Sequence, residues 1–141
     1  MYTKYTKYQR NTQDLRTKKF VEYSLHLHLV IITKYKKKVF TETMCERLHF
    51  YFNRVCDDFG CKLVESRGEK DYVHVLIEPL PHTTPSRLVN SLKGVSSRIL
   101  RQEFPELEQD YWKGGLWSPC YYIASCRGAP LEIVQKFIEN Q

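Results

Sequence analysis

The sequence predicts an α+β fold, an antiparallel sheet with helices packed on one face. Three observations carry that expectation. Residues 21–33 and 71–78 alternate side chains with the period of a half-buried strand. Two longer stretches, from Thr41 or Thr43 to about Phe59 and from Thr84 to Glu103, carry apolar stripes at spacings of three and four. The elements succeed one another as β-α-β-β-α-β-α, a split pattern close to a ferredoxin-like plan.

Each element has a local reason. Residues 1–20 are polar, basic and weakly periodic, with an imperfect T-K-Y repeat, and read as a flexible arm; residues 21–141 read as one domain. In the first strand Val21, Tyr23, Leu25, Leu27, Leu29 and Ile31 share a face, opposite Glu22, Ser24, His26 and His28. A lysine-rich turn follows, Lys34-Tyr35-Lys36-Lys37-Lys38. The first helix presents Met44, Leu48, Phe52, Val55 and Phe59 as one stripe, and Gly60 suits its stop. Residues 61–66 are a short strand and residues 67–70 a hairpin turn. In the strand 71–78, Val73, Val75 and Ile77 face one way and Tyr72, His74 and Leu76 the other. Pro79 and Pro81 end it.

Pro85 suits the first turn of the second helix, whose buried stripe is Leu88, Leu92, Val95 and Ile99. Arg87, Lys93, Arg98 and Arg101 lie on its other side. Residues 104–115 read as a loop, residues 116–126 as a strand interrupted by Pro119, and a last helix runs from about Pro130. Helices on one face leave the other face of the sheet for use, and the one bearing Tyr72 and His74 is a candidate site.

Composition narrows the function. The 141 residues suffice for one domain with one core, and 42% are hydrophobic. No apolar stretch is long enough to cross a bilayer and no secretory signal is visible, so a cytoplasmic protein is expected. The five cysteines form no CxxC pair and are expected to be reduced and mostly buried. A net charge of +6 and ten tyrosines, several beside lysines, fit an anionic partner, most simply nucleic acid.

Several blocks now acquire a common meaning. LHLHLVIITKYKKKVF, GEKDYVHVLIEPLP, RLVNSLKGVSSRILRQEFPEL, YWKGGLWSPCYYIAS and GAPLEIVQKFIENQ occur in this order from about residue 21 to the end. Together they resemble the single-tyrosine HUH transposases of the IS-two-hundred/IS-six-hundred-five insertion sequences, a family that includes REP-associated relatives. The resemblance implies an intertwined homodimer that binds single-stranded DNA hairpins at transposon ends. It also implies cleavage by a tyrosine on the last helix, which becomes joined to the 5′ end. A divalent ion, Mg²⁺ or Mn²⁺, would be held by two histidines of a His-hydrophobic-His strand and by a glutamine one turn past the tyrosine.

The chemistry explains these parts. A phosphodiester needs an aligned nucleophile and a metal to offset developing charge. Histidines at i and i+2 on a strand share a face, as do a tyrosine and a glutamine at i and i+4 on a helix. By the resemblance His74 takes the second histidine position, Val73 the hydrophobic middle and Gln141 the glutamine position. Tyr72 stands where the first histidine belongs, and Phe137 where the nucleophile belongs. A benzyl ring has no hydroxyl, and a neutral phenol is a poor metal ligand. Weak or absent metal binding and no cleavage through residue 137 are therefore expected.

Other tyrosines, Tyr111, Tyr121 and Tyr122, are expected to pack rather than to react. His26 and His28 also spell His-x-His, but the family's metal pair belongs to the later strand, so they carry little weight. Lys34, Tyr35, Lys36, Lys37 and Lys38 of the turn, with Lys93, Arg98 and Arg101 of the second helix, are the candidate DNA contacts. Three functions remain open: a DNA-binding transposase relative without strand transfer, an active transposase carrying a Tyr-to-Phe change, and a regulator that binds nucleic-acid hairpins.

Overall fold

The computed structural model describes residues 4–6, 16–18, 21–23, 26–111, 115–125 and 137–140. Among these residues the strands are β1 (Lys4–Thr6), β2 (Arg16–Lys18), β3 (Val21–Tyr23), β4 (Leu27–Thr33), β5 (Lys62–Gly68), β6 (Tyr72–Glu78) and β7 (Trp117–Ser125). The main helices are α1 (Glu42–Asp58) and α2 (Pro85–Glu103), with a single helical turn α3 at Glu108–Tyr111. Residues 137–139 are helical.

The main sheet runs β1-β5-β6-β4-β7 with every pair antiparallel. Setting β1 aside, the strands lie 2-3-1-4 in chain order, which is the split plan that the sequence predicts. β3 pairs with β2 in a separate two-stranded sheet, so the long alternation of 21–33 serves two sheets.

Side-chain alternation decides which face is core. Leu27, Leu29 and Ile31 of β4, Leu63 of β5 and Val73, Val75 and Ile77 of β6 are buried against Met44, Leu48, Phe52 and Val55 of α1 and Leu88, Val89, Leu92 and Leu100 of α2. Fully burying such a side chain contributes roughly 1.5–3 kcal/mol. α1 begins where the Thr41 side chain accepts the Met44 N–H. It ends in a Schellman motif: Cys61 N–H reaches Cys56 O, Gly60 N–H reaches Asp57 O, and Gly60 takes φ 72°.

Three expectations shift. β5 runs through Gly68, so the hairpin turn starts later than residue 67. At Gly68 the backbone lies so close to α1 that a Cβ would overlap the Cys45 thiol. Pro119 does not interrupt β7, because β7 is an edge strand and Pro119 falls where its register with β4 shifts, between Ile31 and Thr33. The stretch 104–115 holds a 3-10 turn (Pro105–Leu107) and α3, anchored by buried Leu107.

Candidate functional site

The face of the sheet away from α1 and α2 carries its own small cluster. Val30 and Ile32 of β4 are buried there, with Tyr72, Tyr122, Phe137 and Ile138 packed on them. Phe137 and Tyr122 are in ring contact, centroids 5.4 Å apart. The structure thus brings Tyr72 and Phe137, two positions flagged in the sequence, onto one patch. Gln141 lies outside the described residues.

His74 continues this face along β6, two residues beyond Tyr72. Its neighbour is His28, a histidine to which the sequence pattern assigns little weight. Val30 stands directly opposite His74 and Leu76 opposite His28, so the two histidines are diagonal cross-strand neighbours. His28 Nδ1 and His74 Nε2 are 3.2 Å apart, and the rings stack with planes 24° apart. The i, i+2 pattern in the sequence pointed along a strand, whereas the pairing that forms runs across two. Only the β4–β6 register could have exposed it.

Burial sets the electrostatics. Desolvation pushes the His74 imidazole down to about 4, helped by His28 beside it, opposed by Glu65 and reinforced by Arg67. Desolvation also lowers His28, with Glu65 opposing. Both rings are neutral near pH 7. Burial and the nearby Glu69 and Asp71 carboxylates raise the Tyr72 phenol, despite Arg67, so it stays protonated. Arg67, opposite His74 on β5, has a buried Nε–H with no hydrogen-bond partner. No local pattern in the chain points to this unpartnered donor.

These residues test the metal set that the resemblance implies. His74 fits, being neutral and on the open face. Tyr72 does not fit, since its phenol is held protonated beside an apolar cluster. Among the described residues no group of three His, Cys, Asp or Glu side chains is placed to hold an ion.

The basic candidates lie elsewhere. Tyr35 is 72% exposed at the tip of the turn after β4, with the Lys34 and Lys37 ammonium groups 5.5 and 6.0 Å from its ring centroid. Tyr35 and Lys36 both adopt positive φ, 63° and 54°, a strained conformation for non-glycine residues. Lys36 is half-buried and Lys38 exposed. Lys93, Arg98 and Arg101 line a groove of about 420 Å³ with Gly94, Ser97, Gly115 and Trp117. Lys93 is already engaged, donating to Ser118 O at 2.9 Å, and burial lowers its ammonium. Arg101 Nε donates to Ser97 O, while Arg98 is exposed.

Turn and groove meet at one point. Lys34 N–H donates to Leu116 O, Leu116 N–H to Ser97 Oγ, and the Trp117 indole to Ser96 Oγ. Buried Ser96 and Ser97 thus fasten the start of β7 to α2. Sequence reasoning passes over both serines, because a serine within a helical stripe does not announce a distant partner.

Comparison with known proteins agrees with this architecture. Residues 21–141 match the family described as IS200-like transposase. The ISDra2 transposase TnpA of Deinococcus radiodurans is 29% identical over 119 residues, 84% of this chain and 85% of its own length. The IS200 transposase of Salmonella typhimurium is 25% identical over 114 residues, 81% of this chain and 74% of its own. A crystal structure described as a transposase from Deinococcus radiodurans R1 superposes with a TM-score of 0.79 at 32% identity, covering 89% of this chain and 96% of that one. A REP-associated tyrosine transposase bound to a REP hairpin has a TM-score of 0.50 at 10% identity, covering 88% of this chain and 67% of that one, a likeness of fold. With the family match over residues 21–141, the split antiparallel sheet and the superposition on a Deinococcus transposase, the chain belongs to the IS200-like transposases.

Proposed function

We propose that the chain binds single-stranded DNA hairpins as a homodimer and does not cleave them through residue 137. The observation that carries this reading is the surroundings of Phe137. Its ring packs on Tyr122 in an apolar cluster beside Tyr72, on the sheet face that also bears His74. A hydrocarbon edge stands where the family resemblance expects an attacking oxygen.

Hairpin binding is supported by the basic surface formed by the Lys34–Lys38 turn and the α2 groove. Tyr35 offers an exposed ring for stacking beside cations, and Arg98 an exposed guanidinium for phosphate. The REP-associated relative is bound to a REP hairpin.

The test is incubation with labelled single-stranded hairpin DNA and Mn²⁺, analysed on denaturing and native gels in parallel. A retarded complex without a covalent adduct is expected. An adduct that survives denaturation would refute the loss of cleavage, and mapping it would decide between Tyr122 and another nucleophile. Failure to retard any hairpin at low salt would refute the binding reading.

A further inference from the structure

We infer that the basic N-terminal arm, through its strand β1, forms a contact surface for single-stranded DNA along the β5 edge of the open sheet face. The inference rests on the reading that the chain binds hairpins. It assigns the single-stranded flank of such a hairpin to a segment outside the family-matched residues 21–141.

The first argument is charge. Residues 1–20 hold six of the 22 Lys and Arg and one of the 16 Asp and Glu, so five of the six net positive charges belong to the arm. The family-matched residues are nearly neutral, and an anionic polymer is drawn to the arm first. Residues 2–8 read Y-T-K-Y-T-K-Y, which interleaves aromatic rings with cations. That composition suits stacked bases beside a phosphate backbone.

The second argument is placement. β1 pairs antiparallel with β5, with Lys4 opposite Arg67, Tyr5 opposite Ser66 and Thr6 opposite Glu65. Ser66 belongs to the helix side, where His49 Nδ1 of α1 lies 2.7 Å from its Oγ. Strand alternation therefore assigns positions 4 and 6 to the open face. The row continues across the sheet, with Arg67 opposite His74, His74 opposite Val30 and Val30 opposite Tyr122. Position 4 thus begins a row that crosses all five strands and ends at Tyr122, the ring in contact with Phe137. With strands about 4.8 Å apart, the row spans roughly 19 Å. A DNA strand that reaches the Phe137 cluster along this row meets the arm at its other end. A strand laid on β5 also blunts a sheet edge, but that role needs no charge, so the lysine separates the two uses.

The test is fluorescence anisotropy of the full chain with a labelled hairpin, blunt or carrying an oligothymidine flank, at several salt concentrations. The flank is expected to tighten wild-type binding. Lys4→Gln should lower the salt slope for the flanked hairpin by about 0.7, and its affinity about fivefold at roughly 0.1 M salt, while blunt-hairpin binding stays unchanged. Arg54→Gln removes the same charge from the exposed side of α1, behind the sheet, and should leave the flank's gain intact. Tyr5→Pro/Thr6→Pro keeps every charge. N–H groups alternate between partner and solvent along an edge strand, so one of the two prolines removes a ladder bond, and the flank's gain should fall as in Lys4→Gln. Circular dichroism checks that each variant folds.

An unchanged flank gain in Lys4→Gln or in the proline pair, or an equal loss in Arg54→Gln, would overturn the inference. A Lys4-dependent affinity for anionic lipid vesicles, with no such dependence for DNA, would overturn it in favour of a membrane surface. Free oligothymidine is titrated alongside. If the wild type ignores every hairpin yet binds oligothymidine through Lys4, the hairpin reading fails and the role of the arm stands.

Discussion

In the proposed reading, the family chemistry turns on one oxygen at residue 137. Phe137→Tyr restores a hydroxyl next to Tyr122, but Tyr72 still lacks an imidazole on the same face. Phe137→Tyr combined with Tyr72→His is expected to form a covalent DNA adduct with Mn²⁺ at least about tenfold faster than Phe137→Tyr alone. Denaturing gels over a time course measure this. Equal rates would mean that position 72 has no part in the chemistry.

His74 supplies a pH prediction at the same scale. Its folded value is about 4 against an ordinary 6.5, so below 6.5 the unfolded chain takes up the proton first. The stability gained by keeping this ring neutral is complete above pH 6.5 and is lost as pH falls toward 4. The loss is at most roughly 3 kcal/mol, less the screening by solvent that reaches a half-buried ring. Urea unfolding between pH 7 and 4.5, with chelator present, should show this decline, and His74→Asn should flatten it.

Among the elements, the helix–sheet interface has a narrow tolerance at one point. Gly68 lets β5 approach Cys45 of α1, and an added methyl would overlap the thiol. Gly68→Ala is expected to destabilise the fold by about 1–3 kcal/mol in denaturant melts, with partial recovery in Gly68→Ala/Cys45→Ala. At the start of α1, Thr41→Ala removes the acceptor of the Met44 N–H and should cost about 1 kcal/mol. A cap at Thr41 or Thr43 and the Gly60 stop were legible in the sequence because both are local signals, and the structure selects Thr41. The part played by Gly68 was not, since its partner lies on another element.

Across the molecule, the proposed function rests on two surfaces. One is the open sheet face with His28, His74 and Phe137; the other is the basic turn and groove joined through Leu116 and Trp117. If the turn contacts phosphates, replacing Lys36 and Lys38 by Ala should reduce the salt slope of hairpin binding by about 0.7–0.9 for each phosphate no longer neutralised. Tyr35→Ala should weaken binding by about 1–3 kcal/mol if a base stacks there. Fluorescence titrations at several salt concentrations check both, and unchanged slopes would direct attention to the α2 groove.

The main periodicities, the helix ends, the order of β4 to β7 with α1 and α2, and the family blocks could be read along the chain, because each is written in neighbouring residues. By the family resemblance Tyr72 and Phe137 stood out along the chain in the same way, as positions without the expected imidazole and hydroxyl. Folding in three dimensions then settled which face of the sheet each residue joins and which strands lie side by side. That step drew His28 to His74, Ser96 to Trp117 and Gly68 to Cys45. A contact across 46 residues arises from strand register and helix packing, and no local spacing encodes it.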